Sequence, residues 1–319
     1  MENRVLSEIN NANSILLLTH VDPDGDAIGS ILAFYHYLTS INKTVDMVAL
    51  KIPHVFNFLP GVNNVVENVT KDYDLGIVLD CADKKRIGAN EDILSKCKHT
   101  ICIDHHASNN NYCDLNIIHG NVSSCCQVIY FLFKKWSVEL NTQILECLMS
   151  GVLTDTNGFS ISSVDKDSYI MAADVMDFGV DIHKLFNELL FKKSLARYNL
   201  MKIGMDRLEF LCDGKIAFTY ILKSDFEDVG AVIGDHEGIV DIGRSIDGVM
   251  VSVFLREDDG FTISLRSTGS VDVSKIAAKV GGGGHYMASG AKYNGSLEET
   301  KETIICEIKK ALSLQWMEL

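Results

Sequence analysis

Proline is nearly absent from this sequence, with Pro23, Pro53 and Pro60 alone among 319 residues, which excludes collagenous and proline-rich linker architectures. No CxxC pair occurs either, and the nine cysteines are an odd number. Most of them sit in apolar runs, such as Cys102 in TICID and Cys147 in LECLMSGVL, where a thiol packs as a small hydrophobe. That usage points to reduced thiols in a cytosolic protein rather than to a disulfide framework. The opening MENRVLSEINN lacks the apolar stretch of a signal peptide, and no run approaches the roughly 18 apolar residues of a membrane span. A cytoplasmic protein without membrane association is the expectation. Positive charge is also scarce: 29 Lys and Arg against 43 Asp and Glu leave a formal charge of −14. So acidic a chain grips long duplex nucleic acid poorly, because such binding runs on neutralising phosphates. Small or short phosphorylated ligands remain open, provided a local basic pocket or bound metal ions reverse the field.

What is present is a globular balance, 47% hydrophobic and 23% charged, over a length that predicts two domains. The first half alternates regularly. SILLLT (14–19) is a short apolar run ending in the turn-rich HVDPDGD, and from Asp26 to Ser40 apolar residues recur at helical spacing. Further strand-like runs lie at 44–50, 75–79 and 100–103, with helical patterns over 124–136, 142–153 and 166–178, the last closed by Gly179. Continuous apolar strands alternating with helices predict an α/β fold, a doubly wound and mostly parallel sheet covered on both faces.

Beyond Gly179 the texture changes. Residues 181–208 have helical composition and read as a connector. Cys212-Asp213-Gly214-Lys215 and Glu257-Asp258-Asp259-Gly260 then mark hairpin turns between apolar runs. Ser296-Leu297-Glu298-Glu299 fits the capping box of a final helix. The expected organisation is a metal-binding catalytic domain over 1–185, a helical linker over 186–210, and a smaller α+β domain over 211–319.

Acids and histidines fall where the apolar segments end. His20, Asp22, Asp24 and Asp26 follow the first strand; Asp80 ends LGIVLD, with Asp83 close behind; Asp104-His105-His106 ends TICID; Asp155 follows the helical run 142–152. In a parallel sheet the carboxyl ends of the strands share one edge, and ligands bind there. Each piece alone is weak, since a single DxD is usually a solvated loop and a single His pair usually structural. Four such pieces converging on one edge are different. Carboxylates packed together need cations, and mixed Asp and His ligands without thiolate suit a pair of divalent ions. Mn²⁺ fits best, with Mg²⁺ or Co²⁺ as alternatives. The chemistry that follows is hydrolysis of a phosphate ester or anhydride. Asp22 and Asp83 are the weakest members, equally readable as turn acids. His36, His54, His99, His119, His183 and His236 lack such a setting and read as ordinary histidines.

In the second half, Gly281-Gly282-Gly283-Gly284-His285 follows the apolar helical run 273–280. A flexible loop is the commoner meaning of such glycines, but they also let backbone N–H groups approach an anion closely. His285 adds a donor, and Arg266 in ISLRS can pair bidentately with a phosphate.

Together these residues resemble the DHH phosphoesterase superfamily, named for the triplet found here as Asp104-His105-His106. THVDPDGDAIGS, LDCAD and LTDT resemble its other metal motifs. RSTGSVDVSKIAAKVGGGGHYMASG resembles the type 1 DHH-associated domain. The two-domain form is similar to bacterial oligoribonucleases (nanoRNases) that also dephosphorylate 3′-phosphoadenosine 5′-phosphate. By that resemblance His20 and Asp24 hold one metal, Asp26 and His105 the second, and Asp80 and Asp155 bridge or share the pair. His106 faces the scissile phosphate, and Asp104 orients the histidines behind it. Arg266, His285 and the backbone of Gly282, Gly283 and Gly284 hold the substrate's terminal nucleotide or phosphate across an interdomain cleft. The chain departs from the family pattern at Cys125 and Cys126, where Ser or Thr is usual, and at Asn157-Gly158-Phe159-Ser160, which lacks an arginine; neither removes a ligand.

The resemblance implies an enzyme cutting short single-stranded RNA oligonucleotides to mononucleotides and acting on small nucleotides, with a homodimer compatible with this type of protein. A phosphodiesterase for cyclic di-AMP or its linear product is the nearest rival. A non-catalytic nucleotide sensor, an inorganic pyrophosphatase and an exonuclease for long single strands rank lower.

Overall fold

In the computed structural model, which describes residues 1–315, the chain divides into two compact units between Lys192 and Lys193. The segment expected as a linker is shared between them. Its π-helical turn Asn187–Phe191 buries Leu189 in the core of the first unit, and helix Leu195–Asp206 buries Leu200 in a core of the second.

The first unit is an α/β layer structure. Strands β1 (Ser14–Leu18), β2 (Thr44–Val48), β3 (Val65–Val66), β4 (Tyr73–Leu79), β5 (Cys97–Asp104) and β6 (Leu115–Ile118) form one sheet in the order β3-β2-β1-β4-β5-β6. Every pairing is parallel. The strands are apolar on both faces because both are covered. Ile15, Leu17, Ile77, Leu79, Ile101 and Ile103 pack beneath α1 (Glu2–Asn11), α2 (Gly25–Ser40), α4 (Cys125–Lys135) and α5 (Thr142–Asp155). Leu16, Leu18, Val78 and Cys102 face the other way, onto Ile87 and onto Ile93 and Leu94 of α3 (Glu91–Leu94). Full burial of each such side chain is worth about 1.5–3 kcal/mol. Helices α6 (Lys166–Asp177) and α7 (Ile182–Phe186) complete the unit, α6 stopping at Gly179, whose φ is +82°.

Two glycines let α5 pack tightly against α2 and α4. A Cβ on Gly29 of α2 would lie 2.4 Å from the Cys147 carbonyl oxygen of α5, and one on Gly151 of α5 would lie 2.3 Å from Cys126 Sγ. Only hydrogen side chains permit that approach. It brings Asp26, near the start of α2, beside Asp155, at the end of α5.

The second unit holds α8 (Leu195–Asp206) and a sheet of β7 (Glu209–Leu211), β8 (Ile216–Ile221), β9 (Val251–Asp258), β10 (Gly260–Ser267), β11 (Gly283–His285) and β12 (Ala288–Tyr293), ordered β11-β12-β10-β9-β8-β7. All pairings are antiparallel except β8 with β9. The two anticipated turns join β7 to β8 and β9 to β10. Helices α11 (Val273–Lys279) and α12 (Leu297–Gln315) cover one face, over Val251, Val253, Ile263 and Leu265. On the other face lie α8, α9 (Lys223–Val229) and α10 (Ile239–Arg244), over Ile221 and Phe254. The glycine run is only partly a loop, since Gly283–His285 is a strand paired with β12. Among the described residues no helix is long and apolar enough to cross a membrane.

Candidate metal centre

The parallel register of β1, β4 and β5 ends three strands along one edge, and the chain turns there into His20, Asp80 and the Asp104-His105-His106 triplet. Asp24 caps α2, its Oδ1 accepting from the Asp26 and Ala27 N–H groups at 3.1 and 3.0 Å. That bond turns Oδ2 toward His20 Nε2, 4.0 Å away. Asp155 reaches the same place from the last position of α5, a helix end rather than a strand end.

Both candidate histidines are fixed through Nδ1. His20 Nδ1 lies 2.7 Å from the Val21 carbonyl oxygen, and His105 Nδ1 lies 3.1 Å from that of Val122. A carbonyl oxygen accepts only, so each Nδ1 carries a proton and, in the neutral ring that binds a cation, each Nε2 presents a lone pair. Those lone pairs face carboxylates. His20 Nε2 is 3.8 Å from Asp80 Oδ2; His105 Nε2 is 3.5 Å from Asp80 Oδ1 and from Asp155 Oδ2, and 3.8 Å from Asp26 Oδ2. Such separations are too long for hydrogen bonds and leave room for a shared cation. Asp80 Oδ1 is buried with no hydrogen-bond partner, a costly state that a cation would relieve. Three overlapping ligand groups result: His20, Asp24 and Asp80; Asp26, His105 and Asp155; and Asp80, His105 and His106. The residues present therefore suit divalent metal, with oxygen and imidazole donors and no thiolate.

Crowding shifts the acids. Burial, then the carboxylates of Asp26, Asp24 and Asp155, push Asp80 well above the ordinary range. Burial and the Asp26 charge push Asp155 up to about 8. Asp26 is also raised, chiefly by burial, although His105 and the Cys126 amide pull the other way. For His105, burial favours the neutral ring, but the Asp26 and Asp155 charges outweigh it and raise the imidazole. Asp80 also has a φ of +54°, a left-handed conformation uncommon outside glycine and frequent at functional sites.

Behind the cluster, Asp104 is fully buried and holds His106 through a 2.7 Å contact from Oδ1 to Nδ1. Its Oδ1 also accepts from the His105 N–H at 2.8 Å, and Oδ2 accepts from Asn109 Nδ2 at 2.7 Å. Burial acts to raise Asp104, but the bonds from His106 and Asn109 hold it below its usual value. Asp22 is exposed, and Asp83 caps a short 3-10 turn by accepting from the Lys85 N–H. Neither belongs to a ligand group.

Sequence reasoning missed three supports. Both oxygens of Asp26 accept backbone N–H groups, from Cys125 at 2.6 Å and Cys126 at 2.8 Å. Asn109 anchors Asp104, and its position three residues beyond the triplet was an available signal. Gly151 leaves the space that the Asp26 carboxylate occupies.

In the second unit, Arg266 lies on β10, in a row with Ala288 of β12 and His285 of β11. Its Nη1 donates to the Leu265 carbonyl oxygen at 3.1 Å, and its Nε is 3.9 Å from Asp241 Oδ1, so most of the guanidinium fork is available. The glycines serve packing as well as any ligand. The Gly282 N–H is bonded to the Ala277 carbonyl oxygen at 2.9 Å, which corrects the expectation that it points at an anion. A Cβ on Gly282 would lie 2.1 Å from the Gly290 carbonyl oxygen, so glycine is required where the chain meets β12.

Comparison with known proteins agrees with this geometry. Residues 14–152 match the DHH family, N-terminal domain, and residues 213–314 match the DHHA1 domain. The chain is 31% identical to the bifunctional oligoribonuclease and PAP phosphatase NrnA of Thermus thermophilus, over 97% of this chain and 94% of that protein. It is 29% identical to the Bacillus subtilis protein of the same name, over 91% of this chain and 93% of the other. The crystal structure of an exopolyphosphatase-related protein from Bacteroides fragilis superposes with a TM-score of 0.92 at 29% identity, covering 98% of this chain and 96% of that one. The chain belongs to the DHH family, with a DHHA1 domain, and is a hydrolase of phosphoester bonds.

Proposed function

We propose that this DHH-family hydrolase is a two-metal phosphoesterase that degrades RNA oligomers of a few nucleotides to mononucleotides and removes a phosphate from 3′-phosphoadenosine 5′-phosphate. The observation that carries the metal chemistry is the facing of two imidazole nitrogens, His20 Nε2 and His105 Nε2, onto four carboxylates across 3.5–4.0 Å, of which Asp26 and Asp80 are buried. Support for the substrate class comes from the named activities of the Thermus and Bacillus relatives. The net charge of −14 is consistent with it, since a short substrate needs one pocket and not a long basic track.

In this assignment His20 and Asp24 hold one ion, Asp26 and His105 the other, and Asp80 and Asp155 are shared. Bound there, a pair of divalent cations, Mn²⁺ by preference and Mg²⁺ or Co²⁺ otherwise, supplies an acidified water and charge stabilisation at the phosphoryl group. The chain's own residues do the rest. Asp104, kept ionised by its hydrogen bonds, accepts from His106 Nδ1 and fixes the ring, so that in its doubly protonated form His106 would donate from Nε2 to a phosphoryl oxygen as negative charge develops. Arg266 grips a terminal phosphate with its fork, His285 adds an N–H, and Gly283 and Gly284 let the backbone come close while Gly282 shapes the turn. All nine cysteines are free thiols, which supports action in a reducing compartment such as the cytoplasm.

The test is a product assay with Mn²⁺ across a labelled diribonucleotide, a longer RNA, 3′-phosphoadenosine 5′-phosphate and pyrophosphate. Mononucleotide release from the diribonucleotide, with kcat/KM well above that for longer RNA, is the expected result. No mononucleotide from the diribonucleotide would remove this function.

A further inference from the structure

The hairpin between β11 and β12 breaks a local rule. His285 pairs with Ala288, so the connection is a two-residue loop, Tyr286-Met287. Tight hairpins of this length favour Asn-Gly, Asp-Gly or Gly-X, because positive φ values match the twist of the strands. Neither Tyr286 nor Met287 has a positive φ; Gly284, two residues earlier, adopts +141° instead. A Cβ at Gly284 would lie 2.6 Å from Ser289 Cα. The backbone thus accommodates two large side chains at a position where turn chemistry prefers small polar ones.

Those side chains point outward from a fixed frame. The Tyr286 carbonyl oxygen accepts from the Val273 N–H at 3.0 Å, and that of Met287 accepts from the Ser267 N–H at 2.9 Å. The turn is pinned to α11 on one side and to the end of β10 on the other. Yet Tyr286 is 51% exposed and Met287 44%. Large apolar groups left in water at a rigid, well-bonded tip are a contact surface awaiting an occupant.

What stands beside them identifies the occupant. The tip closes the row Arg266–Ala288–His285, where neighbouring strands are about 4.8 Å apart, so the Arg266 and His285 backbones are separated by about 10 Å. A cationic fork suited to phosphate, on the strand next to a hairpin whose tip carries an exposed aromatic ring, suits the two ends of a nucleotide. Bases stack on aromatic side chains irrespective of sequence.

We propose that Tyr286, with Met287 beside it, is a stacking platform for the base of the nucleotide whose phosphate Arg266 holds. This rests on the assignment of Arg266 and His285 to substrate binding and adds a base-recognition element on this chain's own residues. It makes nucleotides, rather than phosphate esters at large, the preferred ligands of the second unit.

The experiment is calorimetric titration of the full chain with AMP and with ribose 5-phosphate, which differ only by the base. Wild-type protein is expected to bind AMP about 5- to 150-fold more tightly, the range one stacked base contributes. Tyr286→Ala should bring the ratio close to one, while Tyr286→Phe keeps it. Tyr286→Trp adds a spectroscopic readout, with indole fluorescence quenched by AMP and not by ribose 5-phosphate. A wild-type protein that takes up neither ligand, or both equally, overturns the platform, and so does an alanine variant that keeps the wild-type ratio. Diribonucleotide hydrolysis is scored separately. Turnover together with an unchanged AMP preference in Tyr286→Ala removes the platform alone, whereas a Tyr286-dependent preference without turnover removes the hydrolytic function alone.

Discussion

Asp26 and Cys125 lie 99 positions apart in the chain, and the Cys125 backbone N–H donates to Asp26 Oδ2 at 2.6 Å. Cys125 opens α4, where the first N–H groups have no partner within the helix and the helix dipole is positive. A carboxylate seated there is oriented by the backbone, and the Cys126 N–H holds its other oxygen. The side-chain type at 125 and 126 therefore does not decide this contact, because the donors belong to the main chain.

Gly151→Ala tests that seat. The added methyl would lie 2.3 Å from Cys126 Sγ and 2.7 Å from Asp26 Oδ1. Overpacking of this kind costs about 1–3 kcal/mol. The variant should melt several degrees lower and bind Mn²⁺ at least about tenfold more weakly. Adding Cys126→Ala removes the sulfur and keeps the N–H, so the double variant should recover part of both losses. Unchanged metal affinity in Gly151→Ala would show that the seat is irrelevant.

Asp104→Asn should lower kcat about 10- to 100-fold, the usual effect of removing a group that orients a functional imidazole. Metal content should stay at the wild-type level, because Asp104 bonds His106, Asn109 and the His105 backbone rather than joining a ligand group. Asn109→Ala should act in the same direction by a few-fold. Steady-state kinetics with elemental analysis checks both; a kcat within twofold of wild type in Asp104→Asn would deny His106 an oriented role.

Asp80→Asn should abolish turnover yet leave the metal-free fold as stable as wild type or more so. Asp80 is 2% exposed and surrounded by carboxylates that push its acid well up, so a neutral amide relieves a conflict that only cations resolve. Melting curves in chelator and a product assay in Mn²⁺ provide the two readings. A marked loss of stability in chelator would mean that Asp80 serves the fold.

Stability of the second unit should fall in mild acid through His236. Burial, then the charges of Arg256 and Arg197, lower this imidazole to about 4 from 6.5, while Asp235 opposes them. Its ring lies between Phe226 and Phe254. Between those two values the unfolded chain binds the proton and the folded chain does not. The contribution is complete above pH 6.5 and is lost as pH falls toward 4, in total about 3 kcal/mol. Denaturant melts of His236→Gln should be flatter than wild type across that window; parallel curves would contradict the assignment.

How much of this was legible follows from which groups carry the structure. The turn HVDPDGD after SILLLT, and Asp80 and Asp104 ending apolar runs, were readable because strand ends switch abruptly from apolar to acidic. Asp155 was found by its motif, although the element that delivers it is a helix. The seat of Asp26 was invisible, since backbone N–H groups leave no side-chain signature and any residue at 125 and 126 offers them. The division at Lys192 was blurred because α8 has the composition of a connector while burying Leu200 in the second unit. The glycine run concealed β11, as glycine has little strand preference and only the fit against Gly290 and Ser289 demands it.

The most direct measurement is titration of metal-free protein with Mn²⁺ at pH 7, following heat and proton release together. With Asp155 raised to about 8 and Asp80 well above its ordinary range, the empty cluster carries protons that ligation must expel. Uptake of two ions per chain with net proton release is the predicted result. No uptake of a divalent ion, or uptake without any proton leaving, would contradict a metal centre built from these side chains.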